Sequence, residues 1–265
     1  ILPLEAVDED ACIARTSVRA TYPLGRVHWG FQGEPTAWVD NVLEGLDAPG
    51  KWVSDTREGL IYFWPEKDEP GDQIVAPTRV EYLRVEGQID YDGPTDQPVR
   101  GLVFHRLTFT HGDRFTWEKD KMGWGLQHDW EMFDRPTALV RLRGAEECAI
   151  EDCHFTASAG AAIRLDLHCQ RNRVIGNLIE HVGGVGILLA GYGPGTKDVN
   201  CENEVVDNHI YHVGEDLWHS LGIFVWQSGS NRIAHNLIYN VPYTGIAVTG
   251  RIRMDRTCRG ECFRT

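Results

Sequence analysis

One short motif recurs in the carboxy-terminal half of the chain and constrains the fold more than any other feature. The pattern N-x-[IV]-x-x-N-x-I begins at Asn172, Asn203 and Asn231, and a copy with cysteines replacing the asparagines begins at Cys148. Self-similarity at a regular interval is typical of repeat architectures, in which each unit buries its apolar face against the next. The motif therefore predicts a solenoid.

A second element follows each copy of the motif. It begins ten residues after the second Asn or Cys of the motif, once the five residues inserted before Ile223 are removed. These segments are short, β-branched and alternating, with glycine near their ends, which indicates strands rather than helices. They begin at Ile163, Ile187, Ile223 and Ile246, and Val140 begins the same element one repeat earlier.

Without its insertions the repeat interval is about 23–24 residues, and strands that recur at one fixed period are expected to stack in parallel. The expected inward columns are Val140, Ile163, Ile187, Ile223 and Ile246, with Leu142, Leu165, Leu189, Val225 and Val248 beside them. We expect Asn177, Asn208 and Asn236 to stack at a turn, where Asn tolerates a left-handed backbone and its amide can bond the next coil.

Over residues 78–250 the pattern resembles the right-handed parallel β-helix family. The L-x-x-L-x-L-x-x-N signature of leucine-rich repeats and the six-residue rhythm of hexapeptide helices are both missing. The expected fold class is therefore all-β: a right-handed parallel β-helix solenoid with a small amino-terminal α/β capping segment.

The repeat fades before Val80, so residues 1–77 are expected to form a separate segment. Its pattern predicts a short helix over residues 38–46, a turn over 47–50 and a β-hairpin over 51–64 that covers the first coil. The run from Asn41 to Pro65 resembles the stretch that precedes the β-helix in glycoside hydrolases acting on plant or algal polysaccharides. This resemblance implies a carbohydrate-active protein.

Charge and composition exclude several function classes. The chain has 26 Lys+Arg against 39 Asp+Glu, a net charge of −13, and such a chain repels nucleic-acid phosphates and anionic lipids. No run approaches the roughly 20 apolar residues of a membrane span. Neither nucleic acid nor a membrane is expected as a partner, and no cofactor is predicted.

The seven cysteines are an odd number without paired CxxC spacing, so we expect mostly buried free thiols. Cys169 and Cys201 form the plausible pair, because each lies two or three residues before an equivalent repeat position.

Insertions that break the period are where function is expected in a solenoid. Three occur, at residues 112–136, 191–198 and 215–219. Sugar sites combine exposed aromatic rings with carboxylates and amides, and the first and third insertions have that mixture. The predicted substrate-binding residues are Gln127, His128, Asp129, Trp130, Trp218, His219 and Trp226.

Carboxylates in and near these insertions are the predicted catalytic residues. Glu215 and Asp216 are adjacent, and two carboxylates in one pocket would raise the pKa of one and prepare an acid. Asp207, beside His235 in the predicted stack, is the third. Each has an alternative interpretation, in which Glu215 and Asp216 simply belong to a solvated loop and Asp207 makes only a hydrogen bond with His235 at the surface.

Two further predictions concern charged and metal-binding groups. Asp166 and Arg143 share an outward column, which favours a cross-strand ion pair over a catalytic acid. His181 and His212 share another column with Asn240, but two imidazoles without a carboxylate at their level are a weak ligand set, so no metal site is predicted.

The function that these features favour is hydrolysis of glycosidic bonds in a polysaccharide or oligosaccharide by two carboxylates, in a secreted protein or one of the periplasm or cell surface. A polysaccharide lyase would need Lys or Arg to neutralise uronates, and the acidic balance disfavours it. A non-catalytic carbohydrate-binding or surface β-helix remains the alternative, as does an inactive fragment of a longer enzyme.

Residues 251–265 depart from the repeat and contain five arginines. Because no polar cap follows the last rung, we expect this tail to pack poorly, the Ile246–Val248 rung to have an open edge, and the chain alone to have little or no activity.

Overall fold

The computed structural model describes residues 3–17, 39–67, 69–71, 74–115, 134–192 and 196–250 of the 265-residue chain. The chain divides into two compact units, one comprising Ile1–Thr21 with Pro77–Thr265 and the other Tyr22–Ala76. No helix in the described ranges is long and apolar enough to cross a membrane.

Two antiparallel hairpins precede the repeats. The larger unit contains β1 (Leu4–Asp8) paired with β2 (Ile13–Thr16), and the smaller unit contains β3 (Trp52–Asp55) paired with β4 (Leu60–Phe63).

The short helix predicted before the second hairpin is reduced to a single 3-10 turn, Leu43–Gly45. Asn41 explains the difference, because it adopts a left-handed backbone and its side-chain amide bonds both the N–H and the carbonyl of Ser54 at 2.7 and 3.0 Å. These bonds hold the chain against β3 instead of letting a helix begin there.

Three parallel sheets make up the rest of the larger unit. Sheet A consists of β5 (Leu83–Glu86), β9 (Ala138–Glu146), β12 (Ala161–Gln170), β15 (Ile187–Ala190), β19 (Leu221–Trp226) and β22 (Thr244–Thr249), with β6 (Val99–Arg100) beside β9 and β16 (Asn200–Cys201) beside β12. Sheet B consists of β7 (Val103–His105), β10 (Ala149–Glu151), β13 (Arg173–Ile175), β17 (Glu204–Val206) and β20 (Arg232–Ala234). Sheet C consists of β8 (Thr108–Gly112), β11 (His154–Ser158), β14 (Leu178–Val182), β18 (His209–Val213) and β21 (Leu237–Tyr239).

Each coil contributes one strand to each sheet, and this is the predicted parallel β-helix. The strands containing Ile163, Ile187, Ile223 and Ile246 stack in parallel in that order, which confirms the predicted rungs. The predicted inward residues form the core, with Ile163, Ile187 and Ile223 fully buried. Ile246 departs from this pattern: β22 is the last strand of sheet A in the described part of the chain, and Ile246 is exposed.

The asparagines form two ladders between the coils. Asn177 donates its side-chain amide to Oδ1 of Asn208 at 2.9 Å, and Asn208 donates to Oδ1 of Asn236 at the same distance. The left-handed residue, however, precedes each asparagine, at Gly176 and Asp207 among others. The asparagine is therefore selected for its amide, and the residue before it makes the turn.

The cysteines in the described part of the chain are all free thiols. Cys169 is fully buried, and burial raises the pKa of its thiol. The strand register places Cys201 opposite Gln170 and Asn200 opposite Cys169, so the pairing suggested by the sequence is offset by one residue.

Candidate functional site

The predicted substrate-binding residues Gln127, His128, Asp129 and Trp130 lie outside the described residues. The same is true of the tail over residues 251–265.

The predicted catalytic carboxylates lie at two different corners of one coil. Asp207 is exposed in the turn between β17 and β18, whereas Glu215 and Asp216 follow β18. A five-residue strand such as β18 spans roughly 17 Å. The structure therefore does not bring Asp207 together with Glu215 and Asp216.

Glu215 is the carboxylate of a small cluster with two histidines. Its Oε1 lies 3.1 Å from Nδ1 of His181 and 3.7 Å from Nδ1 of His212. Asp216 is exposed, and its backbone N–H bonds the carbonyl of Gly183. These contacts tie the third insertion to the end of sheet C.

The predicted aromatic contacts divide into exposed and buried residues. Trp218 and His219 are exposed, and the His219 ring lies edge-on to Tyr243 at 5.5 Å. Trp226 is only 7% exposed and belongs to an apolar cluster with Leu188 and Phe224. At this exposure Trp226 is the least accessible of the described aromatic residues predicted to bind sugar.

The outer face of sheet A carries a buried network of charges. Strand alternation sends Val140 and Leu142 into the core, so Arg141 and Arg143 point outward. Asp166, 1% exposed, accepts hydrogen bonds from Nε of Arg141 at 2.7 Å and of Arg164 at 2.6 Å. Positive charge on both sides compensates this buried carboxylate.

The predicted ion pair between Arg143 and Asp166 does not form, although the two residues are register neighbours. Arg143 instead donates to Oδ1 and Oδ2 of Asp134 at 2.5 and 2.8 Å and to Glu86 at 3.0 Å. Asp134, at the end of the first insertion, also accepts a bond from Arg141. Its side chain remains 15% exposed, so it is the more accessible of the two aspartates.

Glu81 lies just before β5 at the same face. Oε1 is 3.1 Å from Nε of Arg84, whereas Oε2 is buried and has no hydrogen-bond partner among the described residues. Burial raises the pKa of the Glu81 carboxyl, and the charges of Arg141 and Arg84 only partly offset this effect. A carboxyl that keeps its proton to higher pH is the type of group that general acid catalysis requires.

A second polar chain continues from this face. Asp96 accepts from Nζ of Lys197 at 2.8 Å and lies 3.0 Å from Nδ1 of His168, whose Nε2 lies 2.8 Å from Glu146. Burial alone would raise the pKa of Asp96, but hydrogen bonds from Lys197, from the Asp90 N–H and from His168 lower it overall. The chain holds the loop over residues 90–97 against β12.

Tyrosines border these two groups. Tyr91 is 39% exposed, accepts a hydrogen bond from Nη2 of Arg143 at 2.9 Å and lies edge-on to Tyr192 at 6.2 Å. Tyr192 is buried, so Tyr91 is the exposed ring here, and an exposed aromatic ring next to paired charges is the combination expected where a sugar binds.

The titration of Glu81 leads to a prediction on stability. Its pKa is raised on folding, so the native state binds the proton more tightly and loses stability as pH rises from the unfolded value of 4.5 through the folded one. We expect Glu81→Gln to unfold at higher temperature than the wild type at pH 7, with the difference shrinking below pH 4.5. Thermal unfolding followed by circular dichroism across pH 4–8 measures the difference in unfolding temperature. A Glu81→Gln variant less stable than the wild type at pH 7 would contradict the raised pKa of Glu81.

The sequence did not single out Glu81 or Asp134. Asp134 was visible as an acid in the first insertion, and the outward column containing Arg143 and Asp166 was the available signal for a charged face. Glu81 had no such signal, because it lies where the repeat is too degenerate to assign a face.

Comparisons with known proteins agree with this architecture. Residues 136–254 match the family model of the right handed beta helix region. A solved glycoside hydrolase structure aligns with 79% of this chain and 40% of its own chain, with a TM-score of 0.64 and 22% sequence identity. This chain thus spans 40% of the length of that protein, and at this identity the likeness concerns the fold. No curated protein matches the sequence. The chain is a right-handed parallel β-helix protein that resembles a glycoside hydrolase in fold.

Proposed function

We propose that this protein hydrolyses glycosidic bonds in a polysaccharide or oligosaccharide, with the part of the outer face of sheet A around Glu81, Asp134 and Tyr91 as its active site. The observation that carries the proposal is the half-buried Glu81 carboxyl, whose pKa is raised by burial and which lies on the same face as carboxylates that arginines compensate. Acid–base hydrolysis uses two carboxyl groups in different environments, one of which donates a proton.

In this proposal Glu81 is the general acid that protonates the leaving glycosidic oxygen. Asp134 is the second carboxylate, which activates water or attacks the sugar directly, since its two oxygens are held by Arg141 and Arg143. Asp166 is too deeply buried to reach a sugar, so it fixes the positions of Arg141 and Arg164. Tyr91 supplies an exposed ring beside the acids.

The predicted site at the third insertion is the rival location on the same molecule. Glu215 and Asp216 remain proposed acids there, and Trp218 and His219 remain proposed sugar contacts. Both aromatic residues are exposed, which supports a binding role. The buried environment that raises the pKa of a carboxyl supports Glu81 as the acid instead.

A non-catalytic carbohydrate-binding protein is the second proposed function, supported by the exposed aromatic residues alone. Secretion or display at the cell surface is part of either proposal, because an extended polysaccharide is met outside the cell. The likeness to a glycoside hydrolase fold supports a carbohydrate partner.

The test measures release of reducing ends from a panel of plant and algal polysaccharides. We expect the wild type to cleave at least one, and Glu81→Gln and Asp134→Asn to lower the rate about 10²–10⁴-fold, the usual contribution of a general acid or base. Glu147→Gln is the matched control, since Glu147 is exposed and pairs only with exposed Arg171 in the described part of the chain.

The outcomes separate the alternatives. Full turnover by Glu81→Gln together with loss of turnover by Glu215→Gln would move the acid to the third insertion. Binding of a polysaccharide by the wild type without any cleavage would replace hydrolysis by the binding function.

A further inference from the structure

The corner that follows sheet C contains a ligand set that the sequence did not predict. His181 and His212 occupy equivalent positions at the ends of β14 and β18, as expected, but the structure adds Glu215 from the third insertion at their level. One ligand atom from each of these three side chains lies within 4.8 Å of the other two.

The backbone fixes the two rings side by side. His181 and His212 both adopt left-handed conformations, with φ of 50° and 49°, as does Asn240 in the next coil. The imidazoles stack with centroids 4.9 Å apart and planes within 7°. Both Nδ1 atoms lie near the same carboxylate oxygen, and because the rings are parallel, one imidazole has to turn about its side-chain bonds for both lone pairs to reach one ion.

The separations suit a small, tetrahedral ion. Zinc binds imidazole nitrogen and carboxylate oxygen at about 2.0–2.2 Å, so two ligand atoms around one tetrahedral ion lie about 3.4 Å apart. The distances from Oε1 of Glu215 to the two Nδ1 atoms, 3.1 and 3.7 Å, bracket this value. A ligand set of two nitrogens and one oxygen disfavours calcium and magnesium, because these ions bind oxygen ligands.

The surroundings supply an orienting contact and an open side. Nδ2 of Asn240 lies 3.4 Å from Nε2 of His212, and flipping the amide places its oxygen there to accept the ring N–H when Nδ1 holds a metal. The side chains of His181, His212 and Glu215 are each about half exposed, so solvent reaches the cluster. Three protein ligands with an accessible fourth position are the arrangement of hydrolytic zinc sites.

We propose that His181, His212 and Glu215 bind one Zn²⁺ ion through Nδ1, Nδ1 and Oε1, with a fourth position open to water or a sugar hydroxyl. The ion clamps the third insertion to the stacked turns of sheet C. This site is separate from Glu81 and Asp134 on sheet A, and it makes Glu215 a metal ligand instead of the rival acid of the third insertion.

The experiment is a calorimetric titration of the chelator-treated full chain with ZnCl₂. We expect one ion per chain, and at least about 100-fold weaker binding in His181→Asn, His212→Asn and Glu215→Gln, each of which removes a ligand. Asparagine is chosen because Asn240 shows that it fits this left-handed column. Asn240→Ala should weaken binding about 10-fold, as loss of an outer contact does.

His235→Asn is the matched control, because His235 is an exposed histidine with a left-handed φ of 57° in a different turn. Its affinity for zinc should stay within twofold of the wild type. Circular dichroism of each variant checks the fold. Absence of binding by the wild type, or binding that persists in His181→Asn and Glu215→Gln, overturns the proposal.

Discussion

Replacing Asn208 with alanine is expected to lower the free energy of unfolding by about 3–5 kcal/mol, among the largest single effects in this chain. Asn208 is fully enclosed, donates to the carbonyl of Val174 at 2.9 Å, and accepts from the N–H and side-chain amide of Asn177. Alanine removes one bond from each of these three groups, although the Asn177 side-chain amide keeps its bond to the Ile150 carbonyl at 3.0 Å. A buried group that loses its partner costs about 1–3 kcal/mol before the coils relax. Urea denaturation measures the loss.

The control is Asp207→Asn at the adjacent position. Asp207 is exposed and left-handed, and asparagine tolerates that backbone, so we expect a change within about 0.5 kcal/mol. An Asn208→Ala variant as stable as Asp207→Asn would mean that the ladder adds nothing to the stacking of the coils.

The second large effect is expected at Asp166. Changing it to asparagine should cost about 3–5 kcal/mol, because Arg141 and Arg164 would keep buried positive charge without the carboxylate that compensates it. The same acid-to-amide change at exposed Glu147 should cost less than about 0.5 kcal/mol, since surface ion pairs contribute little. The stabilities of the two variants are compared by their denaturant midpoints. Equal midpoints would show that the charges on the outer face of sheet A are solvated rather than buried.

The rungs of the helix were predictable because the repeat marks the same position in every coil. The register that pairs Ile163 with Ile187 follows from counting from one asparagine motif to the next. The same count predicted that Asn208 stacks with the equivalent asparagines of the neighbouring coils. It misplaced the left-handed residue, because a spacing does not show which of two adjacent residues makes a turn.

The site was less predictable because its charges come from outside the repeat. Long arginine side chains reach across the outer face, so the column that contains Arg143 and Asp166 gave the right neighbours but the wrong ion pairs. Glu81 precedes the clear repeats, and its burial depends on the three-dimensional arrangement around it. The contact of Glu215 with His181 likewise depends on how an insertion folds back, which no period encodes.

A crystal structure of Glu81→Gln with an oligosaccharide of the polysaccharide that the wild type cleaves tests the central claim most directly. The variant should slow hydrolysis without removing the binding surface. The proposal predicts a sugar ring next to Tyr91 on the outer face of sheet A, with the glycosidic oxygen within about 3.2 Å of the side chain at position 81. A sugar bound only beside Trp218 and Glu215, away from sheet A, would contradict it.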